Sequence, residues 1–276
     1  MKPFLKRSIS GIIYALIVLV GLLGPQPLFV LLFSFAIVYT LHEFFTMAMG
    51  KALLPSRILM ELAVLWLFLG LYLSRLGIIS SAWIYLAILP LMLAFILPVW
   101  SREDLKMKDL SYACASLLCV GLPLALTPIL TVRDGSYSGY LLLSIFIVTA
   151  LSDVGAYLLG TALGQRKGAW KLAPKISPKK SWWGVLGGVL VAMGAALLLK
   201  KVGWVELDLI HCLCFGALLS FVGVFGDLLE SMWKRYFQVK DSGKLIPGHG
   251  GLYDRLDSLM PAILLAIVYL ECFALL

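Results

Sequence analysis

The amino-acid sequence predicts an all-α polytopic membrane protein with about nine transmembrane helices. Of its 276 residues, 61% are hydrophobic and 14% are charged, and the mean hydropathy is +0.98. Soluble domains instead carry about 25% charged residues. Apolar runs of the length that crosses a bilayer core, about 20 helical residues, recur along the chain. Neither an open sheet nor a barrel-like alternation fits these runs, so we predict helices.

The predicted spans are joined mostly by short connections. They lie at 8–24, 27–47, 57–75, 78–99, 110–131, 139–161, 184–200, 209–229 and 258–276. The first span has the basic head and apolar body of a secretory signal, but no small-residue cleavage site follows, so we expect a retained helix. The five cysteines fall in apolar runs and lack the CxxC spacing of a zinc site.

Basic residues predict the orientation, because cytoplasmic connections carry an excess of Lys and Arg. With nine spans, nineteen of the 23 basic residues share the side of the N-terminus, Lys2, Lys6, Arg102 and Lys106 among them. The other side holds Arg75, Arg133, Lys200 and Lys201. We therefore expect a protein of the cytoplasmic membrane with its N-terminus inside and its C-terminus outside. The net charge of +8 is an orientation signal and weak evidence for nucleic-acid binding.

The first long polar connection, 162–183, follows an acid inside the sixth span. Asp153 is a functional candidate, because an ionised carboxylate in a membrane is costly unless it is paired; simple packing against a lysine is the alternative. Lys175, Lys179 and Lys180 surround Ser177 in a cationic turn suited to a triphosphate. The alternative is a juxtamembrane cluster that binds anionic lipid headgroups.

The second long connection, 230–257, is rich in glycine. Gly243, Gly248, Gly250 and Gly251 permit conformations and close approaches that suit a loop around phosphate oxygens. The G-x-x-x-x-G-K-[ST] spacing of a Walker loop is missing, so a soluble NTPase is not implied. His249 stands between glycines and fits a general base, a phosphate donor or a turn residue.

Three carboxylates lie just before this connection or at its end. Asp227 precedes it, while Asp254 and Asp257 follow the glycines, three residues apart and so expected on one face of the last helix. Oxygen ligands of this kind suit magnesium. The alternative is that Asp254 and Asp257 only favour a helix N-terminus. Glu61, an acid inside the third span, has no assigned role.

The stretch SMWKRYFQVKDSGKLIPGHGGLYDRLDS resembles the C-terminal signature of phosphatidate cytidylyltransferases, the CDP-diacylglycerol synthases. The matching residues are Ser231, Lys234, Arg235, Lys240, Asp241, Pro247, His249, Gly250, Gly251, Asp254, Arg255 and Asp257. SDVGAYLLG and SPKKS are similar to other segments of that family, so the resemblance covers roughly 145–276. One departure is Trp183, where an acid is expected, with Ser181 in place of a threonine.

This resemblance implies that CTP and phosphatidic acid react to CDP-diacylglycerol and pyrophosphate, in phospholipid biosynthesis. The carboxylates predict Mg²⁺ or Mn²⁺ as the cofactor, with a second cation as a further candidate. We predict N-terminal transmembrane helices at 1–135 and a C-terminal catalytic region at 136–276. The implied catalytic residues are Asp227, Asp254, Asp257, Lys240, His249 and Arg255. The implied nucleotide and phosphate ligands are Ser177, Lys179, Lys180, Lys234, Arg235, Gly250 and Gly251. The metal ligands would be Asp227, Asp254 and Asp257, with Asp153 as a further candidate.

Membrane lipids and a homodimer complete the expected partners, and no nucleic acid is expected. Two rival functions stay open. A related CTP-using enzyme, such as a polyprenol kinase, would act on another lipid. A transporter would explain the intramembrane acids but not a glycine-rich cytoplasmic loop between aspartates. Transporters also usually show internal repeats, and this sequence shows none.

Overall fold

The computed structural model describes residues 3–100 and 107–275, and it confirms the all-α class. The helices of the first half are α1 Pro3–Leu23, α2 Gln26–Met49, α3 Leu54–Arg75, α4 Ile88–Ile96, α5 Met107–Ser116, α6 Leu122–Ala125 and α7 Pro128–Thr131. Two 3₁₀ segments, Ser81–Ala87 and Leu97–Trp100, flank α4, and a π segment, Leu117–Gly121, joins α5 to α6. Those of the second half are α8 Tyr140–Ala162, α9 Trp182–Lys201, α10 Leu209–Tyr236, α11 Tyr253–Leu256 and α12 Leu259–Cys272.

Two small antiparallel hairpins are the only strands among the described residues. The first pairs β1 Val132–Arg133 with β2 Ser136–Tyr137. The second pairs β3 Lys171–Ala173 with β4 Ser177–Ser181, with Lys171 opposite Ser181 and Ala173 opposite Ser177. The polar connection predicted at 162–183 therefore contains a hairpin whose tip carries Lys175.

Seven segments within the described residues are long and apolar enough to cross a membrane. They are Gln26–Met49, Leu54–Arg75, Ser81–Trp100, Lys108–Thr131, Tyr140–Ala162, Trp182–Lys201 and Leu209–Tyr236. The first and last predicted spans correspond to shorter apolar helices, Arg7–Leu23 and Leu259–Cys272. A polytopic membrane protein is confirmed, while the count of nine is not. Lys2, Arg102, Lys106 and the side chain of Lys6, which entered the orientation argument, lie outside the described residues.

The chain forms two compact units. The first comprises Met1–Gly139 and Val239–Arg255, and the second comprises Tyr140–Gln238 and Leu256–Leu276. The glycine-rich segment thus belongs to the same unit as the N-terminal helices. The functional division predicted at 135/136 stays a prediction.

An aromatic cluster forms part of the core of the first unit. The ring of Phe29 lies 4.9 Å from that of Phe33, 5.6 Å from Phe68 and 5.3 Å from Tyr137, measured between centroids. The Tyr137 hydroxyl donates to the Leu22 carbonyl at 2.8 Å. Burial raises the pKa of this phenol, so it stays a hydrogen-bond donor.

Small residues allow the helices of the second unit to pack closely. A methyl group on Gly155 of α8 would collide with the Gly187 carbonyl of α9, and the reverse collision would occur at Gly187. Ser152 of α8 and Ser220 of α10 share a buried hydrogen bond of 2.6 Å. Such crossings are typical of helices packed within a membrane.

Two helix ends differ from the sequence prediction. Helix α10 continues to Tyr236, past the predicted end at 229, so Lys234 lies in a helical last turn that favours cations. The final helix does not include Asp254 and Asp257 on one face. Instead α11 ends at Leu256 and α12 begins at Leu259, which leaves Asp257 in the turn between them.

Candidate functional site

Three carboxylates form a cluster in the second unit. Asp227, Glu230 and Asp257 each offer an oxygen that lies within 4.8 Å of the other two. Asp227 and Glu230 are three residues apart on α10 and share a face. Gly226 lets the turn at Asp257 approach, because a side chain there would collide with the Asp257 carbonyl. The cluster could hold a metal ion, since its donors are all carboxylate oxygens.

Two lysines partly neutralise this acidic cluster. Lys180 Nζ lies 2.6 Å from Asp227 Oδ2, and Lys234 Nζ lies 2.5 Å from Glu230 Oε1. The Glu230 side chain is only 2% exposed, and an isolated ion would be costly there. Ser231 also donates from Oγ to Asp227 Oδ1 at 3.3 Å. The predicted ligand Asp227 is therefore contacted by Lys180 and Ser231, and its neighbour Glu230 is contacted by Lys234. All three contacting residues were singled out from the sequence.

Asp254, predicted as a metal ligand, braces the glycine-rich loop in the first unit. Its Oδ2 accepts hydrogen bonds from the Gly251 amide at 2.8 Å and the Ser242 amide at 3.0 Å. The side chain is buried. These bonds hold together the two ends of residues 242–251, which we call the glycine loop. The predicted role of Asp254 as a metal ligand stays a prediction.

At two positions of the loop the backbone conformation requires glycine. Gly248 and Gly250 have φ values of +82° and +86°, in the region that favours glycine. A bridge between Ile246 and Gly250 closes the turn around them. At these two positions the loop therefore has the backbone conformation for which its glycines were predicted.

A cationic pocket of about 700 Å³ opens beside the glycine loop within the first unit. The charged or titratable residues that line it are Arg7, Lys240, Asp241, Lys244, His249 and Arg255. Four of them carry a permanent positive charge and one a negative charge. The pocket thus has the charge expected of a site for a phosphorylated anion. It brings together the predicted residues Lys240, His249, Gly250 and Arg255, and it adds Arg7 and Lys244.

Helix α1 contacts the residues of this pocket through two side chains. Arg7 donates from Nε to the Gly248 carbonyl at 3.0 Å. Ser10 donates from Oγ to the Pro247 carbonyl at 2.9 Å, and the same oxygen lies 2.8 Å from His249 Nδ1. Partial burial lowers the pKa of His249, and the positive charges of Arg255 and Arg7 lower it further. Both effects favour the neutral imidazole.

Glu43 is a site residue that the sequence analysis did not single out. It lies on α2, is 5% exposed, and accepts a hydrogen bond from the Tyr253 amide at 2.9 Å. The ring of Phe44 packs edge-on against Tyr253, with 5.6 Å between centroids. The sequence does carry a signal for Glu43, since an acid inside an apolar span is a functional candidate. Only Asp153 and Glu61 were considered on that ground.

The remaining predicted site residues belong neither to the pocket nor to the carboxylate cluster. Lys179 is exposed, Ser177 begins β4, Arg235 is exposed near the end of α10, and Asp153 is exposed on α8. Trp183, which replaces the expected acid, is 44% exposed at the start of α9. Ser181 caps that helix by accepting from the Gly184 amide at 3.3 Å.

Glu61 has a partner in the structure. Its Oε1 lies 3.6 Å from Nδ1 of His42, one helix away. The side chain of Glu61 is 13% exposed and that of His42 is 54% exposed. This pair accounts for both residues without a catalytic role.

Comparisons with known proteins agree with the sequence resemblance. The sequence model of the cytidylyltransferase family matches residues 5–273. A phosphatidate cytidylyltransferase of Staphylococcus saprophyticus is 32% identical over 92% of this chain and 94% of its own. That of Bacillus subtilis is 29% identical over 94% of this chain and 95% of its own. That of Haemophilus influenzae is 42% identical, but over 48% of this chain and 46% of the relative.

Proposed function

This chain belongs to the cytidylyltransferase family, and we propose that it is the integral membrane enzyme that converts CTP and phosphatidic acid to CDP-diacylglycerol and pyrophosphate. One observation carries this proposal. Several residues of the C-terminal signature, Lys240, His249 and Arg255 among them, line a cationic pocket of about 700 Å³ in the first unit, and Asp257 belongs to a compact carboxylate cluster in the second. Both features are what a reaction between two phosphorylated anions requires.

The proposed reaction is a nucleotidyl transfer. A phosphate oxygen of phosphatidic acid forms a bond to the α-phosphorus of CTP, and the bond from that phosphorus to the oxygen shared with the β-phosphorus breaks. Pyrophosphate leaves with the electron pair. Because the nucleophile is already an anion, no strong general base is needed, and positioning and electrostatics supply most of the acceleration.

The acidic cluster is the proposed metal centre. Asp227, Glu230 and Asp257 fit Mg²⁺ or Mn²⁺ because they present carboxylate oxygens, and Lys180 and Lys234 relieve their mutual repulsion. A divalent cation bound there would supply positive charge to phosphate oxygens. Glu230 thus joins the predicted ligands, and Asp153 stays a further candidate.

The lysines of β4 and the cationic pocket are the proposed phosphate ligands. Lys180 lies at the acidic cluster and is half-buried, so it can exchange its carboxylate for a phosphate oxygen. Lys240 and Arg255 line the pocket, where they would bind and neutralise phosphate groups. The lowered pKa makes His249 a weak base, and its Nδ1 is engaged by Ser10, so we favour a phosphate-donor or turn role over that of a base.

The membrane setting completes the proposal. Acyl chains can stay in the bilayer while the phosphate group reaches the polar site, which we place on the cytoplasmic side because nineteen of the 23 basic residues share the predicted inner side. A homodimer stays a prediction.

The test is product formation by purified protein in detergent. We expect labelled CDP-diacylglycerol from CTP only when phosphatidic acid is present, and no product in excess chelator. Consumption of CTP with a polyprenol instead would favour the related lipid kinase. No reaction of CTP with either lipid, in a folded protein supplied with Mg²⁺, would contradict the proposal.

A further inference from the structure

Glu43 is buried beneath the glycine loop, at a place where a carboxylate needs donors. Its side chain is 5% exposed, and its Oε2 accepts the Tyr253 amide hydrogen at 2.9 Å. An acid inside a membrane-spanning helix is costly unless such partners satisfy it. The Tyr253 amide meets this need at Oε2, while Oε1 has no hydrogen-bond partner among the described residues and lies against the glycine loop.

Two loop glycines leave room for this carboxylate. A methyl group at Gly243 would meet Oε1, Cδ and Cγ of Glu43, and these are its three nearest heavy atoms. A methyl group at Gly251 would meet both Glu43 oxygens and Ser242 Oγ. Neither glycine has a positive φ, so backbone conformation does not explain them. Close approach to Glu43 does.

Glu43 and Asp254 hold complementary parts of the same segment. Asp254 joins the amides of Ser242 and Gly251, while Glu43 fixes the amide of Tyr253 to α2. Among the described residues, Glu43 does not line the cationic pocket. Any effect on phosphate binding must therefore pass through the loop that carries Lys244 and His249.

We propose that Glu43 is a positioning residue, which anchors the glycine loop to α2 and so fixes the geometry of the cationic pocket for phosphate groups. The expected effect on turnover rests on the proposed function. The anchoring itself is a property of the free protein and can be measured without substrate.

The kinetic test is a double-mutant cycle between Glu43 and Gly243, with kcat and the KM for CTP measured at saturating phosphatidic acid. We expect Gly243→Ala to lower kcat/KM about tenfold or more, within the range that small misplacements cause. Glu43→Ala should have a similar effect. Because the added methyl group collides only with Glu43 among its nearest neighbours, the double variant should be no worse than Glu43→Ala alone.

The structural test is hydrogen exchange of the free protein in detergent, read on peptides that cover residues 240–256. We expect exchange at the amides of Ser242, Gly251 and Tyr253 to be at least about tenfold faster in Glu43→Ala, as for a locally opened segment. Peptides from α8 and α9 should be unchanged. Glu61→Gln is the matched control, because it alters another intramembrane glutamate, one that pairs with His42.

The outcomes separate the two proposals. Additive losses in the cycle, or unchanged exchange in Glu43→Ala, would overturn the positioning role. If the wild-type protein makes no CDP-diacylglycerol, the proposed function fails, and the exchange data alone decide whether Glu43 anchors the loop. If Glu43→Ala does not fold, Gly243→Ala decides: normal kinetics and normal exchange in that variant would overturn the inference, and losses in both at an unchanged melting temperature would support it.

Discussion

The ammonium of Lys180 lies 2.6 Å from Oδ2 of Asp227. Lys180 belongs to the β3–β4 hairpin and Asp227 to α10, so this ion pair ties the cationic hairpin to the acidic cluster within the second unit. The two side chains are 23% and 36% exposed. An ion pair of this exposure adds little stability, and its members remain available to a substrate phosphate and a cation.

Replacing Lys180 by alanine tests this relationship. We expect turnover to fall about a hundredfold or more, as when one electrostatic donor to a transition state is removed. The amount of anionic lipid that stays bound to the detergent-purified protein should be unchanged. Lys167→Ala, at an exposed lysine of the same connection, is the control and should retain normal turnover. Less bound anionic lipid with normal turnover in Lys180→Ala would instead support a headgroup-binding role.

Asp257→Asn tests the proposed metal centre. The substitution keeps the shape of the side chain and removes a charged ligand, so the rate at saturating CTP, Mg²⁺ and phosphatidic acid should fall about a hundredfold or more. The melting temperature should hardly change. A well-folded variant that keeps more than about a tenth of the wild-type rate would count against the metal role, since a lost ligand is expected to cost more.

Asp254→Asn should behave differently in the stability measurement. Asp254 is 7% exposed and accepts two backbone hydrogen bonds, from Ser242 and Gly251, at one carboxylate oxygen. The Ser242 amide lies within 3.3 Å of both carboxylate oxygens, so an asparagine turned either way sets its own nitrogen against this N–H and removes one of its acceptors, at a cost of about 1–3 kcal/mol. We therefore expect Asp254→Asn to lower the melting temperature clearly. Equal thermal stability of the two asparagine variants would contradict the bracing role.

His249 should titrate below the usual range for histidine. Because burial and the charges of Arg255 and Arg7 lower its pKa in the folded state, the contribution of His249 to stability is present above the unfolded pKa. It is lost as the pH falls through the lower folded pKa. Arg7→Ala should raise the pKa of His249, as measured by NMR titration of its ring protons. Lys51→Ala, which removes a cation elsewhere in the same unit, should leave it unchanged.

The orientation is tested by tags in intact cells. Tags after Lys106 or within 166–180 should be cytoplasmic, and a tag at the C-terminus should be external, because of the distribution of basic residues. Labelling with a membrane-impermeant reagent gives the answer. Both termini on the same side would overturn the nine-span arrangement.

The sequence alone determined the fold class and the family. Long apolar runs predict membrane helices regardless of what the helices pack against. In lipid, each backbone N–H and C=O group must find its hydrogen bond within the helix. The run GHGGLYDRLD, residues 248–257, identified the family because its matching residues lie close together in sequence. Their spacing can therefore be read without knowing the fold. Asp227 was predicted to lie near Asp257 because it ends the preceding span on the same side of the membrane, and the two lie together in the structure.

Only the tertiary structure decided which acids belong together. Glu230 joined the cluster because α10 continues to Tyr236 and keeps Glu230 on the face of Asp227. Asp254, three residues before Asp257 in sequence, turned instead to the glycine loop because the helix breaks between α11 and α12. Glu43 and Tyr253 are 210 residues apart and meet through a hydrogen bond to a backbone amide. Such a bond leaves no trace in the identity of its donor residue, since every residue except proline carries that amide, and so no local pattern could reveal it.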